Sequence, residues 1–123
     1  MTLQNPTDGA SGIVVTRNFV EAEDIADALR RSGFADVSHC RDARGALDLV
    51  GRRASNFSVA FLSFHLHDDA LEILLAMFHA AQTRTVLING DAAIAETFGA
   101  AFLRRPFSHG DLDQCIASVM AGY

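Results

Sequence analysis

Five short apolar runs, each followed by a segment whose apolar residues recur every three or four positions, constrain this chain more than any other feature. The runs are Ile13-Val14-Val15, the half-polar Asp36-Val37-Ser38-His39-Cys40, residues 58–64, Thr85-Val86-Leu87-Ile88 and Ala101-Phe102-Leu103. Strands in strict alternation with helices must pair in parallel, because each helix carries the chain back to the end from which the next strand starts. The crossover handedness rule then leaves a doubly wound parallel sheet with helices on both faces. The run at 58–64 reads as its centre, since a continuous apolar stretch suits a strand covered on both sides. The half-polar run at 36–40 reads as an edge.

Helix ends are marked by residue chemistry. Asn18 with Glu21 three residues on has the form of an amino-terminal cap ahead of Ala22, Ile25, Ala26 and Leu29, and Gly33 stops that helix. Asp42 caps a second helix carrying Ala43, Ala46, Leu47 and Val50, closed by Gly51 and Asn56. Asp68 or Asp69 caps a third, with Leu71, Leu74, Leu75 and Phe78 along one side. Asn89-Gly90-Asp91 turns into a short helix bearing Ile94, Ala95 and Phe98 and ending at Gly99. Ser108 and Asp111 cap the last, whose inward residues are Leu112, Ile116, Val119 and Met120. Residues 1–11 carry Asn5-Pro6 and Asp8-Gly9 with little apolar content and read as a loose tail; residues 12–123 read as one domain.

Charge and composition narrow the function. A net charge of -5 without a basic stripe argues against nucleic acid and anionic membrane surfaces as partners. All ten basic residues are Arg, so Schiff-base and lysine-base chemistry is excluded. Cys40 and Cys115 lack CxxC spacing and read as plain buried thiols in a reduced compartment. No apolar run approaches the roughly 20 residues that span a bilayer, and the amino terminus lacks a signal pattern, so a cytoplasmic location is expected.

The order of elements, Val14-Val15 in the first strand, Ala60-Phe61-Leu62 in the third, and above all the segment Gly99-Ala100-Ala101-Phe102-Leu103-Arg104-Arg105-Pro106-Phe107 resemble the response-regulator receiver domain of two-component signalling. The resemblance covers residues 12 to about 121 and implies a flavodoxin-like (βα)5 fold with strand order 2-1-3-4-5. In that family an acidic pair after the first strand and an aspartate ending the third hold magnesium, and that aspartate accepts a phosphoryl group from a kinase histidine. Here the resemblance places Thr16 and Arg17 at the acidic pair and Ser63 at the acceptor. It places Asn89 where the family has a Thr or Ser, Arg105 at its Lys, and Phe102 at its aromatic switch. The Arg105-Pro106 bond is expected to be cis, at a cost of only ~0.5–1 kcal/mol over trans.

Loss of all three carboxylates implies a pseudo-receiver. Magnesium sheds water reluctantly and is held through carboxylate and phosphate oxygens. An inward Arg17 at ~4 Å would repel a unit positive charge by about 4 kcal/mol at an effective dielectric near 20, and a divalent ion twice as much. Ser63 is a poor acceptor without a base beside it. No nucleophile-base pair stands at motif spacing, so the chain is not expected to be an enzyme or to need a cofactor. The preferred reading is a phosphorylation-independent adaptor docking on a histidine kinase, a phosphotransfer protein or another regulator. The kinase-facing surface would be the first helix with the loops beside Asn18 and Ser63. A homodimer through helix 4, strand 5 and helix 5 would use Phe102, Arg104 and Phe107.

Two further possibilities belong beside it. Arg17 and Arg105, with Thr16, Ser63 and Asn89, could form a small anion or nucleotide sensor; the ordinary alternative sends Arg17 to solvent and pairs Arg105 with a nearby carboxylate. His65, His67, Asp68 and Asp69 have metal-ligating side chains, but alternate loop residues rarely converge, and solvated histidines beside a capping aspartate are the plainer reading. His39, His79 and His109 read as surface or helix-end residues.

Overall fold

The computed structural model describes residues 9–53, 57–63, 69–89 and 92–121. The elements alternate without exception: β1 (Ser11–Val15), α1 (Phe19–Arg31), β2 (Asp36–Cys40), α2 (Ala43–Arg53), β3 (Val59–Ser63), α3 (Asp69–Ala80), β4 (Arg84–Ile88), α4 (Ala92–Thr97), β5 (Ala101–Leu103) and α5 (His109–Met120). All five strands are parallel in the order β2-β1-β3-β4-β5, the flavodoxin-like arrangement. Among the described residues no helix is long and apolar enough to cross a membrane.

The period of two along each strand divides the core. Ile13, Val15, Ala60, Leu62 and Leu87 face α2, α3 and α4, whereas Val14, Val59, Phe61, Val86 and Ile88 face α1 and α5. β3, with Val59 through Leu62 buried, is the strand that both layers share. β2 is half-exposed, as an edge strand must be when only one neighbour covers it.

Caps explain where the helices begin. The Asn18 side chain accepts from the Glu21 amide at 3.1 Å, Asp42 accepts from the Gly45 amide at 2.8 Å, and Ser108 with Asp111 forms a reciprocal capping box. Gly33, at φ 105°, follows the α1 cap in a backbone region that a β-carbon disfavours. Two boundaries differ from the sequence reading. β1 starts at Ser11, and Gly9 and Ala10 already make backbone bonds to Gly33 and Ala35, because pairing extends past the apolar run that marked the strand. Gly51 lies inside α2, whose buried Ala46 and Val50 hold the turn against the sheet despite a residue of poor helix propensity. Asn56 lies outside the described residues.

Candidate functional site

The site forms where the carboxyl ends of β1 and β3 meet the first turn of α1 and the connection from β5 to α5. Thr16, directly after β1, is 2% exposed and fixed through every polar group. Its amide donates to the Cys40 carbonyl at 3.0 Å, and its own carbonyl lies 2.8 Å from His39 Nε2. Its hydroxyl accepts from the Asn18 amide at 3.1 Å and donates to Glu21 Oε1 at 3.2 Å. With the oxygen engaged by Asn18, the hydroxyl proton is directed at the carboxylate.

Glu21 is the residue the sequence reading used only as a cap partner. In the structure its amide serves the cap, but its side chain turns inward and is only 7% exposed. Arg105 grips it side-on, Nε donating to Oε2 at 2.6 Å and Nη2 to Oε1 at 2.8 Å, the bidentate geometry that makes Arg-carboxylate pairs strong. Nη2 also donates to Ser63 Oγ at 2.7 Å, which ties the end of β3 to the same guanidinium. The hydrogen bonds that Arg105 donates to Glu21 raise its pKa above the ordinary value, partly opposed by burial. One signal for Glu21 was present in the chain. Positions 21, 22, 25, 28 and 29 form the buried stripe of α1, so an acid at 21 had to find a partner inside.

The other anticipated residues lie elsewhere. Arg17 is exposed and has no hydrogen-bond or ion-pair partner among the described residues. Asn89 is exposed and closes β4 through its backbone, its amide donating to the Leu103 carbonyl at 2.8 Å and its φ of 53° in the left-handed region that asparagine tolerates. Thr16, Ser63 and Arg105 are therefore brought together around Glu21, and among the described residues Arg17 and Asn89 add no side-chain bond to this group. The Arg105-Pro106 peptide is cis. Phe102 is partly buried against the α3 and α4 layer, with the Arg104 guanidinium 5.8 Å from its ring centroid, and Phe107 packs against the α1 and α5 layer.

Magnesium does not suit these residues. Both oxygens of the Glu21 carboxylate are engaged by the Arg105 guanidinium, and the remaining groups are two hydroxyls and an exposed cation. Among the described residues no cluster of three His, Cys, Asp or Glu could hold a metal. His65, His67 and Asp68 lie outside the described residues, as does the side chain of Asp69. His39, His79 and His109 are exposed.

Cys40 and Cys115 are free and partly buried, a correction to the expectation of full burial that follows from their places on an edge strand and beside the open groove between β5 and α5. Burial pushes both thiols up, with Asp42 adding to the shift at Cys40. A raised folded pKa makes each thiol's contribution to stability complete below its unfolded pKa and lost as pH rises through the folded one. Near pH 8 both should alkylate with iodoacetamide more slowly than free glutathione, as read by mass spectrometry, because the thiolate is the attacking species.

Solved structures similar to this chain are receiver domains. They include the chemotaxis protein CheY4 of Vibrio cholerae, 18% identical, with 89% of this chain and 98% of that one covered and a TM-score of 0.72. The CheX-CheY-BeF3-Mg complex of Borrelia burgdorferi matches at 14% identity over 94% and 98% of the two chains with a TM-score of 0.76. The complex of the CheA3 P1 domain with CheY6 from R. sphaeroides matches at 17% identity over 93% and 98% with a TM-score of 0.74. At these identities the likeness establishes the receiver fold. No protein-family model and no curated protein sequence matches the chain.

Proposed function

We propose that the chain is a phosphorylation-independent signalling module, a pseudo-receiver that docks on a histidine kinase, a phosphotransfer protein or another regulator in the cytoplasm and performs no catalysis. The observation that carries this reading is the Arg105-Glu21 pair: the basic residue that would meet a phosphoryl group already holds an internal carboxylate. Thr16 and Ser63, at the ends of β1 and β3, add hydroxyls in place of acids. The anion-sensor alternative fares less well, since Arg17 points to solvent and Arg105 is engaged.

Recognition has surfaces to use. Phe19 and Val20, in the first turn of α1, are 65% and 68% exposed, and Phe19 lies 6.3 Å from the His39 ring, centroid to centroid. Adjacent large apolar side chains left in water favour a protein partner. The R. sphaeroides complex, in which a protein of this fold meets the P1 domain of CheA3, is a precedent for contact with another protein. A second face, where β5 and α5 bound a groove of about 670 Å³ lined by Phe102, Arg104, Pro106 and Cys115, suits the homodimer.

Incubation with acetyl phosphate and magnesium, or with a cognate kinase and labelled ATP, should leave the chain unmodified. Calorimetry against the kinase's phosphotransfer domain should give the same affinity whether or not that domain is phosphorylated. Stoichiometric hydroxylamine-labile label on the chain would overturn the reading.

A further inference from the structure

We propose that Arg105 and Thr16, with Ser63 steadying the guanidinium, form a small-oxyanion site whose resident ligand is the chain's own Glu21 carboxylate. The inference deepens the phosphorylation-independent reading and rests on it, because it states what keeps the pocket shut: the ligand is tethered and always present.

The donors are arranged for an oxyanion rather than for a lone cation-anion contact. Three N–H or O–H groups converge on the two oxygens of one carboxylate: Arg105 Nε on Oε2, and Arg105 Nη2 with Thr16 Oγ1 on Oε1. Each donor is aimed by something else. Asn18 occupies the Thr16 hydroxyl oxygen, and Ser63 accepts the second Nη2 proton. A fork of guanidinium N–H groups fits carboxylate, formate or phosphate oxygens equally well in geometry. What selects Glu21 is attachment. A side chain on the first turn of a capped helix is held at an effective concentration that free anions at cellular levels do not match. The native chain therefore ignores free phosphate, and the site takes a small oxyanion only when the tether is cut.

Glu21→Ala tests this by removing the carboxylate and leaving a space of its size beside Arg105. Thermal and urea unfolding of the full chain are followed while formate, acetate or inorganic phosphate replaces chloride at constant ionic strength. The variant should regain stability saturably, its folding equilibrium constant rising about 11-fold at an anion concentration ten times its Kd. The wild type and the double variant Glu21→Ala with Arg105→Met should show no such rise. Equal responses from all three proteins, or none in Glu21→Ala, would overturn the proposal. Should Glu21→Ala not fold in chloride, recovery of its circular dichroism in formate is the readout, and Glu21→Ser provides a second vacated site; failure of both to respond also overturns it. The phosphorylation-independent reading is judged separately by labelling of the wild-type chain, so the tether can fail while that reading stands.

Discussion

Arg105→Ala should lower stability by about 3 kcal/mol in urea unfolding, with an unchanged m-value. Removing one partner of a buried ion pair costs ~3–5 kcal/mol because the other charge is left desolvated. Arg105 is 26% exposed at its side chain and Glu21 7%, so water partly relieves the loss and the lower end applies. The Arg105 side chain also spans three segments, reaching Glu21 of α1 and Ser63 of β3 from the connection between β5 and α5. Its truncation frees all three. Replacing both partners, Glu21→Leu with Arg105→Met, should recover most of the loss, since an apolar pair of similar volume removes the desolvation problem at its source. A double variant no more stable than Arg105→Ala would show that the pair contributes more than the cost of its own burial.

The pair is not a device for sensing mild alkali. The Arg105 pKa is raised, chiefly by hydrogen bonding to Glu21, with burial opposing the shift and the Glu21 charge adding to it. Because the folded pKa exceeds the unfolded one, the stabilisation is complete below the unfolded value and is lost only as pH rises through the folded one. That window lies far above neutrality, so loss of stability between pH 7 and 9 should leave the Arg105→Ala difference constant.

How much of this was legible in the chain follows from the range of the forces involved. Strand and helix order is written in local periodicity, and the caps at Asn18, Asp42 and Ser108 are decided within a few residues, so both could be read directly. The register that ends β1 at Val15 and β3 at Ser63 put Thr16 and Ser63 at the mouth of the sheet, where the resemblance had them. Glu21 escaped because its partner is 84 positions away, and the same spacing that made it a cap residue also described its amide correctly. Arg17 and Asn89 were placed by counting to family positions that hold an acid and a hydroxyl, and such a count does not fix where a different side chain goes. Arg17 is exposed, as the charged tip of a long side chain favours, and Asn89 serves its strand end through its backbone.

Phe61→Ala should cost about 3–5 kcal/mol, the range for truncating a fully buried aromatic side chain, and shift the urea midpoint accordingly. Phe61 is 0% exposed at the middle of β3, in register with Val14 of β1 and Val86 of β4, and it faces the layer closed by Ile25, Leu29, Leu112 and Ile116. A strand at the centre of a parallel sheet has neighbours on both edges and helices on both faces, so little can move to fill the void. Against a total stability of typically 5–15 kcal/mol for such a domain, that loss is a large share. Phe19→Ala is the control. It removes the same ring from a side chain 65% exposed, so stability should change by no more than ~0.5 kcal/mol. The two variants thus separate the phenylalanine that holds the fold from the one left free for recognition: Phe61→Ala shows its effect in unfolding, and Phe19→Ala in calorimetric affinity for the phosphotransfer domain. If Phe19→Ala left that affinity unchanged, docking would have to be moved from α1 to the face of β5 and α5.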